Sequence, residues 1–137
     1  MSEQLRFLLD TNVCIQYLNF PDSSVRQRLA NVRSDEIAVC SVVKAELFYG
    51  SKKSKNPARN LAVQMSFLNQ FESLSFDDAA AIEFGDIRGE LSSIGMIIGP
   101  YDLQIAAIAK ANYLTLVTNN TREFARVSGL RIEDWET

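Results

Sequence analysis

Histidine is absent from this chain. Without an imidazole there is no Ser-His-Asp triad, no Cys-His nucleophile pair and no histidine to serve as general acid or base. Cysteine is scarce too, with only Cys14 and Cys40 present. Two cysteines cannot build a disulfide framework and, with no histidine, cannot fill a usual tetrahedral zinc site. Both lie among apolar residues and are expected as buried thiols of a reducing compartment. No apolar run approaches the ~20 residues of a membrane-spanning helix. The opening Met1-Ser2-Glu3-Gln4-Leu5-Arg6 lacks the apolar stretch of a secretory signal. A cytoplasmic protein with no membrane association is therefore expected. Glycine-rich phosphate loops, nucleotide fingerprints, internal repeats, low-complexity tracts and linkers are all missing as well.

What remains is a chain of 137 residues, 47% hydrophobic, with a net charge of -3. Its length fits one domain, residues 1–137, able to bury a core without disulfides or structural metal. The mild acidity does not advertise nucleic-acid binding. It does not exclude it either, since a cluster of active-site acids contributes negative charge of its own.

Leu5 to Leu9 reads as a buried strand that stops at Asp10-Thr11-Asn12, all helix-capping types, before a helix through Val13, Ile15, Tyr17 and Leu18. Pro21-Asp22-Ser23-Ser24 opens a second, short helix carrying Val25, Leu29 and Val32. Ile37 to Cys40 is a second strand, and Ser41 is expected to cap a third helix ending near Gly50. Ser51 to Pro57 reads as a loop, followed by a helix with Leu61, Met65, Leu68 and Phe71 at helical spacing. Ser73 to Phe76 is a weak third strand. Asp77 or Asp78 then opens a helix with the stripe Ala80, Phe84, Ile87, Leu91 and Ile94, ended by Gly95. Gly99-Pro100 introduces a helix from about Tyr101 to Ala111, and Leu114 to Val117 is a fourth strand. A helical turn (Arg122 to Val127), a short strand (Leu130 to Ile132) and a polar tail follow. Such alternation predicts an α/β fold with a mostly parallel sheet and helices on both faces. Ligands of such sheets sit beyond the carboxyl ends of the strands, where Asp10 and Thr118-Asn119-Asn120 fall.

With no histidine, carboxylates must carry any catalysis, and they do so at neutral pH by holding a hard divalent cation. Asp10 has a plain role as an N-cap, and Asp102 complements a helix dipole. Glu46 is harder to explain away. Its helical neighbours Val42, Val43, Tyr49 and Gly50 put it on an apolar stripe. Asp102 likewise shares a stripe with Ile105, Ala106, Ala109 and Tyr113. No Lys or Arg occupies either stripe, so a cation from outside is the economical compensation. Oxygen donors without imidazole or thiolate favour Mg²⁺ or Mn²⁺. Glu123 is a fourth candidate, shortly after the fourth strand, although an exposed acid beside Arg122 is an equally good reading from composition. Thr118 and Asn120 could hold a water or orient a ligand. Lys44, Lys52, Lys53, Lys55 and Arg59 form a basic run that is either a solvated loop or a phosphate-contacting rim.

Four segments, taken together, resemble the PIN-domain ribonucleases: Leu8-Leu9-Asp10-Thr11-Asn12, Ala45-Glu46-Leu47-Phe48-Tyr49-Gly50, Ile98-Gly99-Pro100-Tyr101-Asp102-Leu103-Gln104-Ile105-Ala106, and Val117-Thr118-Asn119-Asn120-Thr121-Arg122-Glu123-Phe124. More closely they resemble the VapC toxins of bacterial VapBC toxin–antitoxin modules, as does the ending Leu130-Arg131-Ile132-Glu133-Asp134-Trp135. The resemblance implies a three-layer α/β/α domain with a central mostly parallel sheet. It implies a Mg²⁺- or Mn²⁺-dependent endoribonuclease that arrests translation by cutting an RNA, often a tRNA. Asp10, Glu46 and Asp102 match the family's three most regular acids. Glu123 matches the fourth acid of close VapC relatives, whereas many PIN domains carry an Asp near Asn119-Asn120. On this reading Asp10 and Asp102 ligate the metal, Glu46 ligates through water or positions the attacking water, and Glu123 completes the shell or helps place a second ion. The resemblance also implies a homodimer, a VapB-type antitoxin partner in a hetero-oligomer, and promoter DNA reached only through that antitoxin. Alternatives are a non-catalytic binding module or a differently specific Mg²⁺-binding domain. A phosphatase of the haloacid-dehalogenase type would need a second Asp where Asn12 stands. A response receiver would need paired acids at the first strand end and a late Lys, which Leu114 to Asn120 lacks.

Overall fold

Five short strands and seven α-helices, with a 3₁₀ turn at Ser34–Glu36, follow one another along a computed structural model that describes residues 4–136. Residues 1–3 of the opening stretch and Thr137 of the tail lie outside the described residues. The order is β1 (Phe7–Leu9), α1 (Thr11–Asn19), α2 (Ser24–Ala30), β2 (Ile37–Cys40), α3 (Ser41–Lys52), α4 (Pro57–Leu68), β3 (Glu72–Leu74), α5 (Asp78–Ser93), α6 (Pro100–Ala111), β4 (Thr115–Val117), α7 (Thr121–Phe124) and β5 (Ile132–Glu133). The strands form one sheet in the order β3-β2-β1-β4-β5, and every pairing is parallel. Parallel strands need crossovers, which are right-handed. The chain steps from β1 outward to β2 and β3, then crosses back over β2 and β1 to β4. This reversal puts α1–α4 and α5–α7 on opposite faces, the expected α/β/α layering.

The reversal also sets the place of the site. β1 and β4 are neighbours whose following segments leave toward opposite faces, which opens a crevice beyond their carboxyl ends. Leu9 pairs with Val117, so Asp10 and Thr118 emerge side by side. β1 and β2 are buried along their whole length, as central parallel strands are, which is why they read as unbroken apolar runs. Behind them α6 buries Leu103, Ile105, Ala106, Ala107, Ile108 and Ala109. It is covered from outside by α5, which leaves little of α6 to solvent. The tail packs back onto the sheet after β5. Trp135 is buried edge-on to Phe7, with ring centroids 5.1 Å apart, and its carbonyl accepts from Ser24 Oγ at 2.7 Å.

Several sequence expectations shift. Ser41 is the first residue of α3, and Cys40 holds the cap position with no side-chain hydrogen bond. α3 runs on to Lys52, past Gly50. The third strand is Glu72–Leu74 rather than Ser73 to Phe76, because register with β2 sets it and an exposed edge strand carries little apolar pattern. The last strand is Ile132–Glu133 rather than Leu130 to Ile132, and α7 is a single turn. Leu61, Met65 and Ile94 have helical spacing but point outward, and Tyr113 is 84% exposed. Tyr113 leaves the α6 stripe because its φ is +57°, after the helix has ended.

Candidate active site

Asp10 is the best-held acid of the molecule. It caps α1 with an extended backbone, and its Oδ1 accepts from the Thr11 amide at 2.8 Å. Its Oδ2 accepts from the Thr118 hydroxyl at 2.7 Å. The Asp10 amide itself donates to the Val117 carbonyl at 3.0 Å, continuing the β1–β4 ladder by one step. Only 4% of Asp10 is exposed. Burial raises its pKa above the ordinary carboxylate value and repulsion from Glu46 adds to that, while the two hydrogen bonds oppose the rise. Each oxygen keeps a lone pair free for a further partner.

Glu46 lies in the middle of α3, half-buried where the helix passes α1. Its Oε1 accepts from Thr11 Oγ1 at 2.7 Å. Thr11 therefore serves two acids, its amide fixing Asp10 and its hydroxyl fixing Glu46. Asp102 sits in the first turn of α6, after the Gly99 cap and Pro100. Burial, then the charges of Asp10, Glu123 and Glu46 in that order, push its pKa up to about 6. The same three repulsions couple Asp102 electrostatically to the other acids. Glu123, on α7, is brought round by Asn120, whose amide nitrogen Nδ2 donates to Glu123 Oε2 at 3.3 Å. Asn120's backbone N–H donates in turn to Thr118 Oγ1 at 3.0 Å.

The four acids come from four separate elements, yet they converge at the carboxyl edge of the sheet. None of them forms an ion pair among the described residues. The basic run does not compensate them either: Lys52, Lys53, Lys55 and Arg59 are exposed on α3, α4 and the turn between. Among the described residues, no group of three or more His, Cys, Asp or Glu is drawn close enough to hold a metal ion by itself. The donor set is all oxygen, held at one end by rigid hydrogen bonds and left electrostatically uncompensated. That chemistry fits a hard divalent cation such as Mg²⁺ or Mn²⁺.

Two threonines carry more of this arrangement than sequence reasoning assigned them. Thr118, fully buried, donates its hydroxyl to Asp10 and so orients that carboxylate. Thr11 was a capping type and nothing more, and its hydroxyl bond spans to a residue 35 positions away. Its only sequence signal was adjacency to Asp10. Two open cavities meet at Glu46. One, of about 530 Å³, lies among α1, α3 and α4, with Ile15, Leu18, Arg59 and Val63 on its walls. The other, of about 560 Å³, lies toward α6.

Comparison with known proteins gives a consistent picture. The PIN domain family model matches residues 7–130. The chain is 47% identical to the tRNA(fMet)-specific endonuclease VapC of Shigella flexneri, over 96% of this chain and 98% of that protein. Among solved structures it matches DNA-bound VapBC from Salmonella typhimurium with a TM-score of 0.90 and 45% identity, covering 96% of this chain and 98% of that one. It matches VapBC2 from Rickettsia felis, bound to a DNA fragment from their promoter, with a TM-score of 0.89 and 38% identity, covering 96% and 99%.

Proposed function

The chain belongs to the PIN-domain family, on its VapC ribonuclease branch, and from that premise we propose that it is the toxin of a type II toxin–antitoxin module, a Mg²⁺-dependent endoribonuclease that cuts the initiator tRNA in the cytoplasm. The observation that carries the reading is the convergence of Asp10, Glu46, Asp102 and Glu123, with no cationic side chain to balance them, at the switch point of the sheet. The substrate follows the relative of 47% identity, whose name specifies tRNA(fMet).

In this reading Asp10 and Asp102 hold the Mg²⁺ ion (or Mn²⁺). When bound, the ion supplies positive charge against the scissile phosphate and makes water easier to deprotonate. Asp10 contributes a preset carboxylate, since its two hydrogen bonds leave it no rotamer to search. Asp102, whose pKa is raised first by burial and then by the neighbouring acids, would be favoured as the carboxylate by a bound cation. Glu46, steadied by Thr11, accepts the proton of the attacking water or orients that water toward phosphorus. Glu123 completes the acidic ring, with Asn120 setting its direction.

The antitoxin is VapB-like, as in the VapBC complexes of similar fold. Its C-terminal segment would lie across the groove beside Glu46, whose walls mix Ile15, Leu18 and Val63 with Arg59. The toxin works as a homodimer, assembles with antitoxin into a hetero-oligomer, and meets promoter DNA only through the antitoxin. The deciding experiment is expression with and without a candidate antitoxin, followed by mapping of new RNA 5′ ends. Cleavage at one tRNA loop, absent in Asp10→Asn, is the expected result. A folded wild-type protein that cuts no RNA in Mg²⁺ or Mn²⁺ would overturn the reading.

A further inference from the structure

On the α6 side of Glu46 the surface carries aromatic rings that the core does not use. Tyr49 is 66% exposed, Tyr101 59% and Phe76 36%. They come from α3, from α6 and from the connection between β3 and α5, and all three line the same open cavity of about 560 Å³. That volume lies within the roughly 300–1,000 Å³ of small-molecule sites. Glu46 and Gln104 line it too. Tyr101 immediately precedes Asp102, and Tyr49 follows Glu46 by three residues, on the same face of α3. The cavity therefore borders the acidic crevice at Glu46.

Its chemistry is selective. Contiguous exposed aromatics mark a contact surface when they cluster in this way. Phe76 is braced edge-on by Phe84, with centroids 5.7 Å apart at 89°, so its ring is held in place. The Lys53 ammonium lies over one face of the Tyr49 ring, 4.6 Å from its centroid, which sets a cation on that ring. Gln104 offers a carboxamide, able to donate and accept at the edge of a planar ligand. Ring faces, an adjacent cation and one amide are what an unpaired nucleotide needs: a stacking platform, a charge for phosphate and a hydrogen-bonding edge. The core of an interface between two protein copies is depleted in charged residues, whereas Glu46 forms part of this wall.

We propose that this cavity is a nucleobase-stacking subsite, which receives an unpaired base of the RNA next to the scissile phosphate, against Tyr49 and Tyr101, with Gln104 at the base edge. The inference rests on the ribonuclease reading and deepens it. A base must leave its helix to enter, so the subsite selects loops over duplexes and sets the phosphate over the acids.

The test separates the subsite from the nuclease reading by measuring binding without cleavage. In the full-length Asp10→Asn protein, a short fluorescein-labelled single-stranded RNA is titrated beside a matched abasic ribose-phosphate oligonucleotide, in Mg²⁺. The RNA is expected to bind at least about fivefold more tightly, as one stacked base allows. Adding Tyr49→Ala and Tyr101→Ala together abolishes that preference, while Tyr49→Phe and Tyr101→Phe retain it, since the ring faces remain. Equal discrimination in the alanine and tyrosine proteins would overturn the subsite. So would a dimer that becomes monomeric by sedimentation on the alanine substitutions, which would make this face a contact between copies. Loss of RNA cleavage by the wild-type chain would instead strike the nuclease reading, and leaves the binding comparison intact.

Discussion

The hydroxyl of Thr118 donates to Oδ2 of Asp10 at 2.7 Å, joining the ends of two neighbouring strands across 108 residues of sequence. The bond lies in the crevice where the strand order reverses. It fixes the direction of the one acid that is almost wholly buried. Its removal should be felt in the site before it is felt in the fold. Thr118→Val keeps the shape and deletes the donor. The expected result is a roughly 10- to 100-fold loss of Mn²⁺ affinity by calorimetry, as for other groups that orient metal ligands. Thr118→Ser should restore most of it, and equal affinity in Thr118→Val would show that Thr11 alone suffices to orient Asp10.

Asp10→Asn retains an acceptor for the Thr11 amide and so keeps the cap of α1. It removes a buried negative charge that the metal-free protein holds at a cost. Cleavage of RNA should fall by at least about a thousandfold, in line with losses on removing a key electrostatic group. The melting temperature of the metal-free variant should equal or exceed that of wild type. A variant that melts clearly lower would mean that the carboxylate is structural.

Stability of the metal-free protein should fall with rising pH. The Asp102 pKa is about 6 in the fold against 3.8 for the free side chain, so between those values the folded state binds more protons than the unfolded one. Stability from this group is complete below about pH 4 and is lost as the pH rises through about 6. Asp10 is shifted in the same direction and adds to the trend. Thermal melts in chelator should show a higher Tm near about pH 5 than near about pH 7.5, and Asp102→Asn should flatten the difference. A Tm profile identical in wild type and Asp102→Asn would exclude this linkage.

Divalent cation should reverse that loss. A ligand bound only by the folded state stabilises by about 2.7 kcal/mol at a concentration 100 times its Kd. Mn²⁺ should therefore raise the Tm of the wild type at neutral pH and leave Asp10→Asn almost unmoved. Equal shifts in both would place the cation elsewhere.

Trp135 pins the tail to Phe7 and α2. Trp135→Ala is expected to cost about 3–5 kcal/mol of stability, read from denaturant melts, as for other fully buried aromatics. The arrangement of the acids should survive in the fraction that remains folded, with unchanged Mn²⁺ affinity.

The path of the chain was legible where burial leaves a one-dimensional trace. Phe7–Leu9 and Ile37–Cys40 are apolar because both faces of a central parallel strand are covered, and Asp10 stands out because it interrupts such a run. The helix starts at Asp77 and Pro100 were legible from cap chemistry. The edge strand Glu72–Leu74 was not, since half of its surface faces water and only its partner β2 sets its limits. Leu61 and Met65 show the same gap from the other side. Their spacing is helical, but which face meets the core depends on where the helix lands.

Sequence alone set the expectation for the kind of chemistry. A chain without histidine, with acids on helix stripes that carry no Lys or Arg, points to oxygen donors. Only the tertiary structure decided that Thr11 would serve two acids, that Thr118 would donate to Asp10, and that Asn120 would donate to Glu123. Those relationships depend on strand register and crossover direction, which bring together residues whose separation along the chain carries no record of their distance in space.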